Sequence, residues 1–279
     1  MDSPPASSTR AAPQDSLPAI RFDDVWLGYD DNPVLRGLSF SVRTEETLVL
    51  LGETGTGKTL ALKLTAGLLC PDRGTVHALG QIVSGKSEEE LLAFRRQVGF
   101  VFQEGALFDS LTVFENVAYR LQEEGASDEE IRPKVQEVLR FVELEHAGEL
   151  LSAELSGGMR RRVSIARALI TRPPIVLYDS PTAGLDPITS QTIITLILRL
   201  RDVYGVTALM ATQRLQDGFA LANFHFDPKA RRVRRGPSAE HVHPPVTRFL
   251  VLRNGRTYFE GRPEELLNTK DAYLRRFLI

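Results

Sequence analysis

The sequence predicts an α/β fold in which a helical block is inserted into a mixed sheet domain. Short apolar runs of strand length alternate with segments of helical periodicity. A glycine-rich GETGTGKT stands between one such strand and one such helix. Between the apolar runs VGFVF and PIVLYD the chain is mostly helical. We therefore predict a core of residues 20–104 and 172–279 and a helical subdomain of residues 105–171.

The individual elements are predicted in chain order. Strand signals in IRFDDVWLGY and LSFSVRTEETLVLL predict an antiparallel β part, and KTLALKLTAGL has helical periodicity. Ser87 with Glu90, and Ser127 with Glu130, have the capping-box spacing, so a helix is predicted to begin at each pair. The chain after residue 205 predicts a strand, a helix and a hairpin, in VTALMAT, LQDGFALA and RFLVLRNGRTYFEG.

Composition limits the possible partners and the location. The 279 residues include 34 basic and 36 acidic ones, which leaves no positive field for nucleic acid. No apolar run approaches the roughly 20 residues of a membrane helix, so other subunits must span any membrane involved. The single cysteine, Cys70, cannot form an internal disulfide and favours the cytoplasm. Residues 1–19, rich in Ser, Pro and Ala, are predicted to be a disordered tail.

The stretch from Gly52 to Thr59 fits the pattern G-x-x-x-x-G-K-[ST] in its strand-to-helix context. Its glycines let backbone N–H groups surround a phosphate, Lys58 supplies a positive charge, and the Thr59 hydroxyl can bind Mg²⁺. Asp179, at the end of IVLYD, is the natural second Mg²⁺ ligand. The motif therefore predicts a P-loop NTPase (RecA-like) core that binds ATP and Mg²⁺. Its predicted nucleotide-binding residues are Gly52, Glu53, Thr54, Gly55, Thr56, Gly57, Lys58, Thr59 and Leu60.

A second anion site is predicted in ELSGGMRRRVSIARAL, residues 154–169. Ser156 can cap a helix whose first residues, Gly157 and Gly158, expose backbone N–H groups. One chain does not need two such sites, so this one is predicted to complete the phosphate pocket of a neighbouring subunit. Here the chain resembles the ATP-binding subunits of ABC transporters, whose signature loop and D-loop match LSGGM and AGLD (residues 183–186). The resemblance extends from about residue 20 to the C-terminus.

The resemblance implies roles for further residues. Gln103, in VGFVFQ, corresponds to the Q-loop glutamine, which senses Mg²⁺ and the γ-phosphate and touches the membrane partner. Tyr29 precedes Gly52 by 23 residues, where the family places an aromatic ring that stacks on adenine. An aromatic residue in a strand is otherwise most often part of the core. The implied metal ligands are Thr59, Gln103 and Asp179.

Two positions depart from the family pattern. In the family a glutamate follows the Mg²⁺-binding aspartate and polarises the attacking water, and a later histidine contacts the γ-phosphate. Ser180 and Gln213 stand at these catalytic positions. Neither side chain can act as a general base near neutral pH, so we expect ATP binding to survive and hydrolysis to be slow. Alternatively, another carboxylate takes over as base, with Glu104 as the candidate, or the sequence has been altered deliberately.

The stretch EGALFDSLTVFENVAYRL, residues 104–121, resembles the Mce-type or Mla-like lipid-transport ATPases. Hydrophobic periodicity alone would assign its apolar residues, Phe108 among them, to the core of the helical subdomain. The resemblance implies a transmembrane ABC permease, a second ATPase subunit, identical or not, and an Mce-type lipid-binding protein as partners. It also implies a peripheral position at the cytoplasmic face of the inner membrane.

The predicted function is that of an ABC ATPase that couples ATP binding, and slow hydrolysis, to a lipid-handling permease. Two rivals are a non-hydrolysing regulatory or assembly subunit and a soluble ABC protein without a membrane partner. The basic stretch 229–235 is interpreted as a solvated loop, with anionic lipid or a partner protein as the alternative. Three further interpretations are that Trp26 packs, that Arg160, Arg161 and Arg162 form an exposed helix face, and that His241 and His243 do not bind metal.

Overall fold

The structure is a computed structural model that describes residues 17–30, 32–236 and 245–278. Most of the predicted N-terminal tail, together with His241 and His243, lies outside these residues. The described strands are β1 (Ile20–Tyr29), β2 (Asn32–Val42), β3 (Thr47–Leu51), β4 (Arg73–Ala78), β5 (Gln81–Ile82), β6 (Val98–Val101), β7 (Ile175–Asp179), β8 (Thr207–Ala211), β9 (Phe224–Asp227), β10 (Arg232–Arg235), β11 (Thr247–Arg253) and β12 (Arg256–Gly261). The described α-helices are α1 (Lys58–Thr65), α2 (Glu88–Arg95), α3 (Val113–Glu123), α4 (Asp128–Phe141), α5 (Gly157–Leu169), α6 (Pro187–Tyr204), α7 (Leu215–Asn223), α8 (Pro263–Leu267) and α9 (Ala272–Arg275).

Two larger sheets form the core. A six-stranded sheet has the order β12-β11-β3-β8-β7-β6, with its strands from β11 to β6 parallel, and a four-stranded antiparallel sheet has the order β2-β1-β4-β5. Every residue of β3, β7 and β8 is buried, as expected for parallel strands that are covered on both faces. In β3, Leu48 and Leu50 pack with the antiparallel sheet and α1, while Val49 and Leu51 pack with the helices of the other face.

The helix starts agree with the capping signals in the sequence. Ser87 and Ser127 precede α2 and α4, each in a capping box with the glutamate three residues later. The helix α6 begins after Asp186, whose carboxylate accepts hydrogen bonds from two backbone N–H groups of the first turn. Among the described residues, no helix is long and apolar enough to cross a membrane.

The basic stretch 229–235 is not a loop throughout, because part of it forms the strand β10, which pairs with β9. The hairpin is anchored by the buried side chain of Phe226, whose backbone N–H donates to Asp202 Oδ2 at 2.7 Å. On the exposed side, Arg234 forms an ion pair with Asp227 at 2.7 Å. Residues 232–235 therefore form a strand and not a loop, but most of their side chains are exposed, so the solvated part of the interpretation holds.

Candidate nucleotide site

Three strand ends converge at one edge of the six-stranded sheet. The strands β3, β8 and β7 are parallel neighbours, so their carboxyl ends meet at the same edge. β3 leads into the P-loop, β8 leads into Gln213, and β7 ends in Asp179. Strand order thus brings together three chain segments that are far apart in the sequence.

The P-loop takes a backbone path that only glycine follows without strain. Gly55 and Gly57 have φ values of 81° and 99°. A Cβ atom on Gly57 would lie 2.3 Å from Leu35 Cδ2 of β2, and one on Gly52 would lie 2.7 Å from the Leu252 carbonyl oxygen of β11. The loop is therefore pressed against two strands before it enters α1. The N–H groups of the first turn of α1 have no acceptor within the helix, which makes this helix start suited to a phosphate.

Lys58 and Asp179 bring two opposite charges to this helix start. Lys58 Nζ donates to the carbonyl oxygens of Gly52 and Glu53, each at 2.8 Å. Burial lowers the pKa of Lys58, and the charge of Asp179 opposes that shift. Burial likewise raises the pKa of Asp179, against hydrogen bonding from Thr59 and nearby positive charges. The buried ammonium and carboxylate therefore stabilise each other at the edge of the phosphate cradle.

Thr59 and Asp179 meet the geometric requirement for a shared Mg²⁺ ion. Thr59 Oγ1 lies 3.1 Å from Asp179 Oδ1, to which it donates a hydrogen bond. Octahedral Mg²⁺ with bonds of 2.0–2.1 Å places adjacent ligand oxygens about 2.9 Å apart. Among the described residues there is no group of three or more His, Cys, Asp or Glu side chains placed to hold a metal. This fits an ion that takes its remaining ligands from water and from a bound phosphate.

Ser180 and Gln213 follow β7 and β8 at the same edge. Ser180 has a φ of 45°, and its N–H donates to the Ala211 carbonyl oxygen at 2.8 Å. Gln213 is exposed, and its Nε2 donates to Thr54 Oγ1 of the P-loop at 3.1 Å. Gln213 therefore contacts the phosphate cradle directly, and neither residue brings a carboxylate or an imidazole to the site.

Arg161 corrects the prediction of an exposed arginine face. Its side chain is only 5% exposed, and its Nη1 donates to the Phe102 carbonyl oxygen at 2.6 Å. Its Nη2 donates to the Ala183 carbonyl oxygen at 3.4 Å, so the guanidinium joins the start of the Q-loop to the D-loop. Three consecutive helical residues point about 100° apart and cannot share one face, which was the signal available in the sequence. Arg160 bonds Asp109 at 2.8 Å and Arg162 bonds the Val142 carbonyl oxygen at 3.2 Å, so neither extends freely into solvent.

The signature loop lies at the start of α5. Ser156 is the N-cap, and its Oγ accepts a hydrogen bond from the Met159 N–H at 3.3 Å. A Cβ atom on Gly158 would lie 2.5 Å from Thr189 Cγ2, so this glycine permits close packing against α6. Within the described parts of the chain, no hydrogen bond or ion pair connects residues 156–158 to the P-loop. Ser156 and Gly157 of this second predicted anion site are exposed.

Tyr29 and Gln103 are both exposed. Tyr29 ends β1 and is 54% exposed, beside a depression also lined by Asn32, Pro33 and Asp72. The ring is therefore available to stack on a ligand and is not part of the core. Gln103 follows β6. Trp26 packs under Arg73, whose guanidinium carbon lies 5.7 Å from the ring centroid.

A groove of about 640 Å³ opens beside the segment that leads to Gln103. Phe102 lines it, together with the exposed apolar side chains of Leu68, Leu92, Phe108 and Tyr119. The rings of Phe108 and Tyr119 lie 4.8 Å apart. Of the apolar residues that periodicity alone would assign to the core, Val113 and Val117 are buried, whereas Phe108 precedes α3 and lines the groove.

Comparison with known proteins decides the family. A family model described as ABC transporter matches residues 35–183, which is more than half of the chain. The chain belongs to the ABC transporter family. The P-loop, Asp179 and the LSGGM loop are therefore parts of an ABC ATPase domain, and the predicted P-loop NTPase fold is confirmed.

Several named ABC relatives are similar over most of the chain. Identity is 34% over 277 residues to protein trigalactosyldiacylglycerol 3, chloroplastic, of Arabidopsis thaliana, covering 96% of this chain and 75% of the relative. Identity is 30% over 249 residues to MlaF of Haemophilus influenzae, the intermembrane phospholipid transport system ATP-binding protein. This match covers 89% of this chain and 85% of the relative. A methionine import ATP-binding protein, MetN of Mesorhizobium japonicum, is 35% identical over 211 residues. This match covers 76% of this chain and 58% of the relative.

The fold also matches a solved ABC ATPase. The ATP-binding cassette MJ0796, in a dimeric post-hydrolysis state bound to ADP and phosphate, superposes with a TM-score of 0.72. Sequence identity is 27%, and the match covers 87% of this chain and 98% of the cassette.

Proposed function

We propose that this chain is the ATP-binding subunit of a lipid-transporting ABC system, and that it holds ATP tightly and hydrolyses it slowly. One observation carries the second part of the proposal. The contacts of Lys58, Thr59 and Asp179 around the P-loop are intact, whereas Ser180 and Gln213 offer no general base. ATP binding depends on the contacts of Lys58, Thr59 and Asp179. Activation of the attacking water depends on the side chains at positions 180 and 213.

The proposal assigns a role to each part of the site. The ATP phosphates bind at the first turn of α1 with Lys58, and Thr59, Asp179 and Gln103 hold the Mg²⁺ ion. Tyr29 stacks on the adenine. The site is completed by residues 156–158 of a second ATPase subunit, because among the described residues no hydrogen bond or ion pair joins this loop to the P-loop of the same chain. A dimeric state of a similar cassette bound to ADP and phosphate supports this arrangement.

The test is the rate of phosphate release. We expect the double variant Ser180→Glu with Gln213→His to release phosphate about 10²- to 10⁴-fold faster than the unaltered chain, because it restores a general base. ATP affinity should stay within about threefold, since the contacts of Lys58, Thr59 and Asp179 are untouched and only the exposed hydrogen bond from Gln213 to Thr54 is lost. Ser180→Gln with Gln213→His is the matched control, because it keeps the introduced histidine and the side-chain length of glutamate but lacks the carboxylate. If the unaltered chain already turns over at about 1–10 per second, an ordinary enzymatic rate, slow hydrolysis is refuted.

The lipid cargo is supported by the resemblance of residues 104–121 and by the relative named for intermembrane phospholipid transport. A relative named for methionine import also matches, so the cargo class needs its own experiment. The apolar groove beside Gln103 is the proposed docking surface for the permease. Reconstitution with the permease and an Mce-type lipid-binding protein in phospholipid vesicles should give ATP-dependent lipid transfer. Transfer of an amino acid in place of lipid would refute this cargo.

A non-hydrolysing regulatory or assembly subunit is the second candidate, favoured by Ser180 and Gln213. Such a subunit would dimerise with ATP but release no phosphate even when the permease is present, and this behaviour distinguishes it from a slow ATPase. The intact LSGGM loop predicts that such a chain would complete the pocket of a different, active ATPase. Mixing it with that partner should then restore one active pocket per dimer. A soluble ABC protein without a membrane partner would leave the exposed groove unexplained.

A further inference from the structure

Asp217, which the sequence did not single out, is a buried carboxylate behind the nucleotide site. It belongs to the first turn of α7 and is only 3% exposed. Its Oδ2 accepts hydrogen bonds from Thr182 Oγ1 and, at 3.4 Å, from Thr212 Oγ1. Its Oδ1 lies 3.7 Å from Arg214 Nε. The buried carboxylate of Asp217 therefore accepts hydrogen bonds from two hydroxyl groups and lies beside one partly exposed guanidinium.

The two threonines belong to the two segments that carry the altered catalytic positions. Thr182 lies two residues after Ser180 and immediately before the D-loop, residues 183–186. Thr212 immediately precedes Gln213, and its Oγ1 also accepts from the Arg214 N–H at 3.0 Å. Asp217 thus connects the loop after β7 to the loop after β8 through side chains alone.

Arg214 extends the same network to α6. Its Nη1 donates to Ser190 Oγ at 3.0 Å and to the Thr182 carbonyl oxygen at 3.5 Å. Ser190 lies in the first turn of α6, one turn after the capping residue Asp186, which ends the D-loop. Both ends of the loop between β7 and α6 are therefore tied to the start of α7.

The chemistry of this cluster suits a device that fixes positions. Burial raises the pKa of Asp217, so keeping a carboxylate here costs free energy that hydrogen bonds and Arg214 offset. An apolar side chain would avoid that cost but would leave the hydroxyls of Thr182 and Thr212 without this acceptor. A hydrogen-bonded carboxylate has directional contacts, which determine the relative position of two loops more closely than apolar packing does.

We propose that Asp217 is a positioning residue that holds the loop of residues 180–186 and the loop of residues 212–214 in one arrangement, so that the D-loop is correctly presented to a second subunit. It does not touch the phosphate cradle itself. The presentation of the D-loop rests on the proposed function, in which two subunits enclose one ATP; we call this the nucleotide-sandwich function. The local ordering of the two loops does not depend on it.

The primary test is amide hydrogen exchange in the full chain without nucleotide. Thr182→Val has nearly the shape of threonine and removes the hydroxyl donor, whereas Thr182→Ser keeps the donor and removes a methyl group. We expect exchange in residues 180–186 and 212–214 to rise at least about tenfold in Thr182→Val and to stay within about threefold in Thr182→Ser. Exchange in α1 should be unchanged in both. Asp217→Asn, which keeps an acceptor but loses the charge, should give an intermediate rise.

Asp202→Asn is the matched control, because Asp202 is also a buried aspartate but bonds Arg201 at the far end of α6. It should lower stability without raising exchange in the two loops. If Thr182→Val raises exchange there no more than Thr182→Ser or Asp202→Asn at equal global stability, the proposal is overturned.

A second readout separates this inference from the proposed function. In sedimentation with ATP and Mg²⁺, Thr182→Val should weaken dimerisation about tenfold while ATP affinity stays within about threefold. Loss of ATP affinity equal to the loss of dimerisation would overturn the positioning role. If the unaltered chain stays monomeric with ATP while the exchange pattern is as expected, the nucleotide-sandwich function fails and the local positioning role stands.

Discussion

The two halves of the candidate site differ in what their chemistry requires. The phosphate-holding half, residues 52–59 with Asp179, acts through backbone N–H groups, one ammonium and two oxygen ligands. The hydrolytic half, residues 180–186 and 212–217, must supply a base to water, and that task depends on a single side chain. Replacing one side chain can therefore remove turnover from an ABC ATPase while its fold and its phosphate cradle remain.

The largest expected effect is on the phosphate-holding half. Lys58→Ala removes a buried charge next to the cradle, and we expect ATP affinity to fall about 100-fold, equivalent to about 2.7 kcal/mol. Lys86→Ala is the control, because Lys86 pairs with Glu90 on α2, at 3.5 Å, and its removal should leave ATP affinity unchanged. Titration with a fluorescent ATP analogue measures both. An affinity within threefold of the unaltered chain would mean that this half does not hold the phosphates.

The next effect concerns Arg161, which joins the segment before Gln103 to residues 180–186 of the hydrolytic half. Arg161→Met removes the guanidinium that donates to the Phe102 and Ala183 carbonyl oxygens, so we expect the free energy of unfolding to fall by about 2 kcal/mol. The Phe102 carbonyl oxygen keeps its hydrogen bond from the Gly105 N–H, at 2.9 Å. Arg160→Met, which removes a partly exposed ion pair with Asp109 and a hydrogen bond to the Ser152 carbonyl oxygen at 2.7 Å, should cost about 1 kcal/mol. Denaturant unfolding distinguishes them. If both variants lose the same free energy of unfolding, the buried guanidinium of Arg161 does not stabilise the fold more than the partly exposed one of Arg160 does.

A pH series sharpens the comparison on the hydrolytic side. Burial raises the pKa of Asp217, so the folded state binds a proton more readily than the unfolded state does. Protonation of Asp217 therefore stabilises the folded state. This stabilisation is fully present below the pKa of Asp217 in the unfolded chain and is lost as pH rises through its pKa in the folded chain. Between pH 7 and about pH 4, the unaltered chain should therefore gain stability relative to Asp217→Asn as pH falls. Parallel unfolding curves at each pH measure the difference, and a constant difference would contradict the raised pKa.

The smallest effect is expected at the contact between the halves. Thr54→Val removes the acceptor of the exposed Gln213 hydrogen bond, which contributes about 0.5–1 kcal/mol at most. ATP affinity should change by less than about threefold, because the backbone of the P-loop is unaffected. Thr54→Ser keeps the hydroxyl and serves as the control. A tenfold loss in Thr54→Val alone would place Gln213 in the phosphate-holding half.

Sequence reasoning succeeded where the signal is local. The strand-to-helix context of the P-loop and the capping boxes at Ser87 and Ser127 each depend on a few consecutive residues. It failed where distant segments meet. Phe108 is apolar and lies in a periodic stretch, yet it is exposed in the groove, while Arg161 is charged and buried. Neither outcome follows from residue type, because burial depends on which element packs against the side chain.

The sequence by itself determined the phosphate cradle and the starts of several helices, and it predicts that Ser180 and Gln213 stand at the catalytic positions. These depend on residue identity and on short-range backbone geometry, which a contiguous stretch specifies. Only the tertiary structure decided that Gln213 contacts Thr54 and that Asp217 gathers Thr182 and Thr212. The physical reason is the strand order β3-β8-β7, which brings the ends of strands from distant parts of the chain to one edge of the sheet.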